Sequence, residues 1–203
     1  MLDVDSTLIN EEVIDQLALL ADFGEQVAEI TSRAMAGELD FATALHSRVA
    51  LLRGQSTRIL DEVRENLTFT EGAEELITTL KAHNWKVGLV SGGFEEIIRP
   101  LTQHLDIDFL RANHFETVDG LLTGRTEGEI VGRKEKAEAL REFADGEGID
   151  LRATVAVGDG ANDLEMIRLA GLGIAFCAKP VLIKEANLSI DKRDLRLLLP
   201  YLL

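Results

Sequence analysis

Thr154-Val-Ala-Val-Gly-Asp-Gly-Ala-Asn-Asp163 is the stretch of this chain that indicates its fold most clearly. A β-branched, apolar run ends at a glycine, and two carboxylates, Asp159 and Asp163, follow around Gly160 and Asn162. This pattern is typical of a buried parallel strand that ends in a tight turn and opens a helix. Open α/β sheets bind ligands at the carboxyl ends of their strands, and clustered carboxylates suit a hard cation such as Mg²⁺. The stretch therefore predicts a metal site at one edge of a sheet.

A second acidic pair lies at the start of the chain, in Asp3-Val-Asp5-Ser-Thr7. Aspartate and serine are common in turns and helix caps, so the pair alone favours a turn. Taken with Asp159 and Asp163, it indicates two acidic loops that can converge on one cation. Only Met1-Leu2 precede Asp3, which is too short for a strand. We therefore expect a truncated first strand, lost through the choice of start site.

The rest of the chain predicts an α/β fold with a doubly wound parallel sheet. Residues 10–67 carry apolar stripes at helical spacing and no strand signal. Strand candidates alternate with helices elsewhere, over 86–90, 109–112, 154–157 and 172–176, with a hairpin in 118–128 and a helix over 136–144. We predict a catalytic core of residues 1–9 and 68–203 and an inserted helical cap of residues 10–67.

Composition narrows the class of partner. The 203 residues are 46% hydrophobic and carry a formal net charge of −15 at pH 7, which argues against a nucleic-acid partner. The single cysteine, Cys177, excludes an intrachain disulfide, and the sequence contains neither a membrane-spanning run nor a secretory signal pattern. We expect a cytoplasmic monomer or homodimer that binds a small molecule, without nucleic acid or membrane.

Hydroxyl and cationic side chains offer candidates for anion binding. Ser91-Gly-Gly93 follows a predicted strand, so its hydroxyl and backbone N–H groups could hold phosphate oxygens, although a plain strand-to-helix turn has the same pattern. Lys134 and Lys136 are both available, and their chemistry does not choose between them. Arg48 lies on the apolar stripe of a cap helix. Its aliphatic stem could snorkel, or its guanidinium could face a carboxylate or phosphate.

Four features follow one another along the chain: Asp3-x-Asp5-x-Thr7, Ser91-Gly-Gly93, Lys136 and Gly158-Asp-Gly-Ala-Asn-Asp163. In this order they resemble the motifs of the haloacid dehalogenase superfamily of aspartate-nucleophile phosphatases. The resemblance extends to the phosphoserine phosphatase family within it and covers nearly the whole chain. It implies Mg²⁺-dependent hydrolysis of O-phospho-L-serine to L-serine and phosphate, the last step of serine biosynthesis. The motifs that carry it are Asp3-x-Asp5-x-Thr7, Ala34-Met-Ala-Gly-Glu-Leu-Asp-Phe41, Val90-Ser-Gly-Gly-Phe94, Lys136, Val155–Asp163 and Ala175-Phe-Cys-Ala-Lys-Pro180.

The resemblance also implies a role for each candidate residue. Asp3 is expected to be the nucleophile, and Asp5 the acid that protonates the leaving oxygen and then activates water. Mg²⁺ is expected to be held by Asp3, the Asp5 carbonyl and Asp159, with Asp163 supporting the water shell of the metal. The expected substrate contacts are Ser91, the Gly92 amide and Lys136 for the phosphoryl oxygens, Glu12 for the ammonium, Arg48 for the carboxylate, Met35 and Phe41 for the pocket wall, and Asn162 near the phosphate. Lys136 is preferred to Lys134 because the family places the helix directly after this lysine.

Two other functions remain open at this point. One is phosphotransfer from phosphoserine to another alcohol such as homoserine, which differs by its dependence on an added acceptor. The other is a non-catalytic module that binds a phosphorylated ligand. The pair Asp3 and Asp5 speaks against a binding module, because pure binding needs no second acid.

Overall fold

The computed structural model describes residues 1–35 and 37–203, with the side chain of Met35 outside the described part. The strands are β1 Gly88–Phe94, β2 Phe109–Val118, β3 Leu121–Glu127, β4 Val155–Gly158, β5 Leu172–Phe176 and β6 Leu188–Ile190. Parallel pairing joins β1 to β2, β4 to β5 and β5 to β6, whereas β2 and β3 form an antiparallel hairpin.

The segment Met1–Asp3 joins the two halves of the sheet. Leu2 makes parallel bridges to Leu89 on one side and Val157 on the other. The Leu2 N–H donates to the Gly88 carbonyl at 2.9 Å, and the Asp3 N–H donates to the Val157 carbonyl at 2.9 Å. The parallel order is therefore β6, β5, β4, Met1–Asp3, β1, β2. This order confirms the predicted α/β class and puts Asp3 at the carboxyl end of the sheet centre.

An apolar cavity of about 300 Å³, which we call the amino-terminal slot, lies at the opposite end of Met1–Asp3. Its walls include Val87, Leu140, Phe143 and Val155. The amino group of Met1 donates to the Val155 carbonyl at 2.8 Å. Burial lowers the pKa of this amino group to about 5. The slot thus lies between the two sheet halves at the amino end of Met1–Asp3.

Helices pack on both faces of the sheet, and we refer to the first four, which lie within residues 10–67, as the cap. The α-helices are α1 Val13–Leu20, α2 Gly24–Met35, α3 Phe41–Ala50, α4 Arg58–Asn66, α5 Ala73–Ala82, α6 Glu95–Thr102, α7 Arg133–Gly146, α8 Leu164–Leu169, α9 Pro180–Ile183 and α10 Leu199–Leu202. Helices α1 to α4 follow one another without an intervening strand. The chain enters and leaves them side by side, because Ile9 bridges Phe69 and the Asn10 N–H donates to the Thr68 carbonyl at 3.0 Å.

Local sequence explains how the cap is held. Asp40 accepts a hydrogen bond from the Thr43 N–H at 2.7 Å and so caps α3. The loop after α3 binds the β2–β3 hairpin, since the Gly54 N–H donates to the Leu122 carbonyl at 2.8 Å and the Leu122 N–H to the Gln55 carbonyl at 2.9 Å. The cap is therefore tied to the sheet through backbone hydrogen bonds as well as through its two chain connections.

Two predicted strands differ from the structure in extent, and one further strand was not predicted. The strand expected over 86–90 begins at Gly88 and continues to Phe94, with irregular pairing to β2 between Val90 and Phe94. Strand β2 extends to Val118 because the Asp119-Gly120 turn, with both φ angles positive, pairs it with β3. The three-residue β6 was not predicted, because so short a run gives no clear period.

Candidate active site

A polar cavity of about 600 Å³ lies between the carboxyl ends of the strands and helices α1 to α3. The sheet contributes its floor through the loops that follow Leu2 and β4 and through the irregular Ser91–Gly93 segment within β1, which we call the Ser91–Gly93 loop. The cap contributes its wall. The lining residues are Asp3, Asp5, Glu12, Asp15, Thr31, Ala34, Leu39, Phe41, Ala44, Arg48, Gly92, Arg133, Asp159, Gly160, Ala161, Asn162 and Lys179. The two acidic loops of the sequence therefore do converge.

A fully buried ion-pair network lies at the floor of this cavity. Lys136 Nζ donates to Asp3 Oδ1 at 2.6 Å and to Asp163 Oδ1 at 2.7 Å. Burial alone would lower the pKa of Lys136, but Asp163 and Asp3 outweigh that cost and raise it. Lys136 is therefore a permanent cation beneath the cavity.

The position of Lys136 on α7 explains its burial and distinguishes it from Lys134. Residues Lys136, Ala139, Leu140 and Ala144 share the buried face of the helix at spacings of three and four. Lys134 lies on the exposed face and pairs with Glu138 at 3.0 Å. The structure thus separates two lysines that chemistry alone left equivalent.

The turn after β4 holds Asp163 and presents Asp159. Asp163 Oδ2 accepts from the Asp159 N–H at 3.1 Å and the Gly160 N–H at 3.0 Å, while Oδ1 accepts from Lys136. A Cβ at Gly158 would collide with the Asp163 carboxylate, so this close turn requires glycine. Protein donors therefore engage both Asp163 oxygens, and the Asp159 carboxylate lines the cavity.

The acidic cluster fits a divalent cation. Carboxylate oxygens of Asp3, Asp159 and Asp163 lie within 4.8 Å of one another. Burial, followed by the neighbouring Asp163 and Glu12, raises the pKa of Asp159 to about 6. Three carboxylates around one ammonium leave excess negative charge, which a hard cation with oxygen ligands would offset.

The loop that carries Asp5 brings a second carboxyl group to the floor. Asp5 Oδ2 accepts from the Val13 N–H at 3.4 Å, whereas the buried Oδ1 has no hydrogen-bond partner among the described residues. Burial, and next the carboxylate of Glu12, raises the pKa of Asp5 well above its ordinary value. Ser6 adopts a left-handed backbone with φ of 57° and donates through Oγ to Glu12 Oε1 at 2.7 Å. Asp5 is thus placed as a carboxyl group that can carry a proton.

The loop at Ser91–Gly93 completes the floor. Ser91 is buried, and its Oγ accepts from the Gly93 N–H at 2.7 Å. A Cβ at Gly92 would lie 2.8 Å from Cζ of Phe41, so the Phe41 ring rests directly on the Gly92 backbone. The cap therefore touches this loop through an aromatic side chain.

Charged groups of opposite sign share the cavity wall. Arg48, on α3, is half-buried and donates through Nε to the Ala44 carbonyl at 3.3 Å. Burial lowers the pKa of Arg48, and the carboxylates of Asp15 and Glu12 oppose that shift. The wall can therefore meet a ligand that carries both a carboxylate and an ammonium.

The structure brings most of the predicted site residues together. Those that line the cavity are Asp3, Asp5, Glu12, Phe41, Arg48, Gly92, Asp159 and Asn162. Ser91, Lys136 and Asp163 are buried directly beneath it. The predicted pocket contact of Met35 lies outside the described side chains.

Sequence reasoning missed three charged residues of the lining, Asp15, Arg133 and Lys179. Lys179 follows β5, and its N–H donates to the Asp159 carbonyl at 3.0 Å, so its strand-end position could have indicated it. Asp15 lies one turn after Glu12 on α1, which was a further usable signal. Arg133 pairs with Glu165 at 3.0 Å and carries no distinguishing pattern in the sequence.

Helices of the described residues are all too short or too polar to cross a membrane. A family model described as haloacid dehalogenase-like hydrolase matches residues 1–168. The chain therefore belongs to the haloacid dehalogenase-like hydrolases.

Within this family the chain is similar to phosphoserine phosphatases. It is 50% identical to the phosphoserine phosphatase of Streptococcus thermophilus over 195 residues, covering 96% of this chain and 91% of that protein. It is 51% identical to that of Streptomyces coelicolor over 191 residues, or 94% of this chain, and spans 47% of that longer protein. A solved structure of a phospho-aspartyl intermediate analogue of phosphoserine phosphatase superposes with a TM-score of 0.93 at 46% identity, covering 100% of this chain and 97% of that one.

Proposed function

We propose that this protein is a Mg²⁺-dependent phosphatase that hydrolyses O-phospho-L-serine to L-serine and phosphate. The observation that carries the proposal is the buried Asp3–Lys136–Asp163 network beneath a cavity whose wall holds Arg48 with Glu12. The floor suits a phosphoryl group and the wall suits a free amino acid. The similarity to phosphoserine phosphatases along nearly the whole chain supports the same substrate.

In the first half of the reaction, Asp3 acts as the nucleophile. Lys136 holds Oδ1 of Asp3 and leaves the other carboxylate oxygen to attack phosphorus. The new bond joins this oxygen to phosphorus as the bond to the seryl oxygen breaks. Asp5, whose pKa is raised by burial, gives its proton to the leaving seryl oxygen. The products of this step are L-serine and an aspartyl-phosphate on Asp3.

In the second half, the ionised Asp5 takes a proton from water. The water oxygen attacks phosphorus, the bond to Asp3 breaks, and phosphate leaves with both residues restored. Ser91, the Gly92 amide and Lys136 would hold the phosphoryl oxygens throughout. Asn162, which lines the cavity together with Gly92, would contact the substrate near its phosphate. One set of donors therefore serves both halves of the reaction.

Mg²⁺ would be held by Asp3, the Asp5 carbonyl and Asp159, with Asp163 supporting its water shell. When bound, it supplies positive charge that offsets the repulsion between a phosphate dianion and a carboxylate. We expect chelation to remove activity and Mg²⁺ to restore it and raise Tm. Ca²⁺ should fail to restore activity, because it prefers more ligands at longer distances and would engage both oxygens of Asp3. Full activity after exhaustive chelation would contradict this assignment.

The helical cap of residues 10–67 would close over the core of residues 1–9 and 68–203 and exclude water. The contact of Phe41 with Gly92 supports this role, because it places a cap side chain on the loop that would hold phosphate. Met35 is the second expected pocket residue from the cap.

Substrate comparison tests the proposal. We expect O-phospho-L-serine to be strongly preferred over phosphoethanolamine, which lacks the carboxylate that Arg48 would bind. Arg48→Ala should lower kcat/KM for phosphoserine by the equivalent of about 2–5 kcal/mol, as for a buried charge pair that loses one member. Its effect on p-nitrophenyl phosphate should be much smaller. Phosphate release without any added alcohol distinguishes hydrolysis from phosphotransfer.

Arg33→Ala is the matched control, because Arg33 is an exposed cap arginine paired with Glu38 at 3.1 Å. It should leave all three substrates unaffected. Equal loss for all three substrates with Arg48→Ala would assign Arg48 to the fold or the phosphate, and would contradict amino-acid recognition.

A further inference from the structure

Asn113 on β2 is a buried amide that links two loops at the floor of the polar cavity. Asn113 as a whole residue is 1% exposed to solvent. Its Nδ2 donates to the Gly92 carbonyl at 2.8 Å, and its Oδ1 accepts from the Val131 N–H at 2.8 Å. The amide therefore connects the Ser91–Gly93 loop to the segment that leads into α7.

The first of these contacts lies where the regular pairing between β1 and β2 is interrupted. Val90 pairs with Arg111 and Phe94 with Asn113, so Ser91–Gly93 spans a gap that β2 crosses with one residue. These extra residues leave the regular ladder, as in a bulge. The Asn113 amide takes the place of a ladder donor at the Gly92 carbonyl. Because the peptide that follows Gly92 is planar, fixing its carbonyl also fixes the Gly93 N–H, which donates to Ser91 Oγ at 2.7 Å. The backbone on the carboxyl side of the Gly92 N–H is thereby held in place.

The second contact reaches the helix that carries Lys136. Val131 precedes Gly132, whose carbonyl accepts from the Lys136 N–H at 3.0 Å in the first turn of α7. The Phe41 ring lies against both loops, since a Cβ at Gly132 would lie 3.5 Å from its Cδ1. One carboxamide thus sets the separation between the Gly92 loop and the helix of Lys136.

We propose that Asn113 is a positioning residue for phosphoryl binding, and that it acts by holding the Gly92 peptide and the start of α7 in fixed register. This inference rests on the proposed function, in which Gly92 and Lys136 hold the same phosphoryl group. Asn113 does not line the cavity, so it acts through these two elements. A side chain that both donates and accepts is required, because its two partners are a carbonyl and an N–H.

The test compares Asn113→Leu with Asn187→Leu. Leucine is close to asparagine in shape and makes neither hydrogen bond. Asn187 is the matched control, because its Oδ1 accepts from the Gly173 N–H at 2.7 Å beside β5, outside the cavity lining. Steady-state kinetics are measured below the onset of melting for each variant, with phosphoserine and with p-nitrophenyl phosphate. Binding of inorganic phosphate to the Mg²⁺-loaded protein is measured by calorimetry.

We expect Asn113→Leu to lower kcat/KM by about 10–100-fold for both substrates, as for a small displacement of groups that position a reactant. Phosphate binding should weaken alongside, and Asn187→Leu should change neither quantity. A loss confined to Tm, with kcat/KM and phosphate affinity close to those of the unaltered chain, would overturn the proposal. If Asn113→Leu does not fold, Asn113→Asp decides in the same assays, because it keeps an acceptor for Val131 and loses the donor to Gly92.

The two proposals fail separately. If the unaltered chain hydrolyses no phosphate ester, the proposed function fails, and phosphate affinity still decides the role of Asn113. If the chain hydrolyses phosphoserine and both Asn113 variants match it in rate and phosphate affinity, only the role of Asn113 fails.

Discussion

The two ends of the Met1–Asp3 segment are both buried, but burial has opposite outcomes for the cationic groups there. At the carboxyl end, Asp3 and Asp163 both pair with the Lys136 ammonium, and they raise the pKa of Lys136 so that it stays charged. At the amino end, the Met1 amino group has the Val155 carbonyl as its partner beside an apolar slot, and burial lowers its pKa to about 5. A buried group in this fold therefore keeps its charge where fixed groups of opposite sign surround it, and loses its charge where they do not.

The largest expected effect comes from removing the charge of Asp3 at the carboxyl end. Asp3→Asn keeps the side-chain shape and an acceptor for Lys136, but an amide cannot form the aspartyl-phosphate. We expect kcat to fall by about a thousandfold or more with the fold retained. Circular dichroism and phosphate release measure the two quantities. Asp119→Asn at the hairpin turn is the control, and turnover of Asp3→Asn within tenfold (about 1.4 kcal/mol) of the unaltered chain would refute the nucleophile.

Removing the cation from the same network should reduce stability as well as activity. Lys136→Met leaves Asp3 and Asp163 buried without the ammonium, so we expect a loss of about 3–5 kcal/mol in the free energy of unfolding. Urea denaturation measures this loss. Lys134→Met is the control, since the exposed pair with Glu138 contributes at most about 1 kcal/mol. Equal denaturation midpoints for the two variants would show that the network does not stabilise the fold at the carboxyl ends of the strands.

Enlarging the amino-terminal slot should lower the free energy of unfolding by a smaller amount. The Phe143 ring lines the slot and stacks on Phe109 with centroids 5.0 Å apart. Phe143→Ala should lower stability by about 2–3 kcal/mol, less than for a fully enclosed aromatic side chain, and leave kcat/KM unchanged. Leu19→Ala removes a side chain that is 61% exposed and should be close to neutral. A change in kcat/KM for Phe143→Ala would mean that the two ends are coupled.

Filling the slot should produce the smallest effect, with the opposite sign. A chain extended ahead of Met1 by a short apolar strand should be more stable by about 1–3 kcal/mol, because apolar burial exceeds the cost of ordering the added residues. The extension also removes the buried amino group. An extension of equal length with alternating Lys and Glu is the control. Equal Tm for the parent and the apolar extension would show that the slot does not accept a strand.

Sequence patterns predicted the parts of the site that depend on strand ends. Asp159 follows the apolar run of β4, and the acidic pair at Asp3 and Asp5 indicated a second loop that could converge with it. Parallel strands bring such positions to one edge of a sheet. The Asp119-Gly120 turn was equally clear, because residues with positive φ favour this pair.

Other parts could not be predicted because they depend on tertiary contacts. Lys136 and Lys134 have the same chemistry, so the family resemblance pointed to Lys136, and the packing of α7 is what buries it. Asn113 gives no sequence signal, since its two partners are backbone groups distant along the chain. Arg133 carries no distinguishing pattern and joins the cavity through its place at the start of α7.

The central position of Met1–Asp3 has a consequence for biosynthesis. Met1–Asp3 is made before the strands that flank it and must wait for Val155 and Val157, about 150 residues later, before the middle of the sheet can close. Closing so long a loop is slow and makes folding depend on distant contacts. Until then the apolar edge of β1 stays open in a nascent chain, where it can pair with other chains. Translation speed between β1 and β4 should therefore affect the yield of folded protein more than translation speed through the cap.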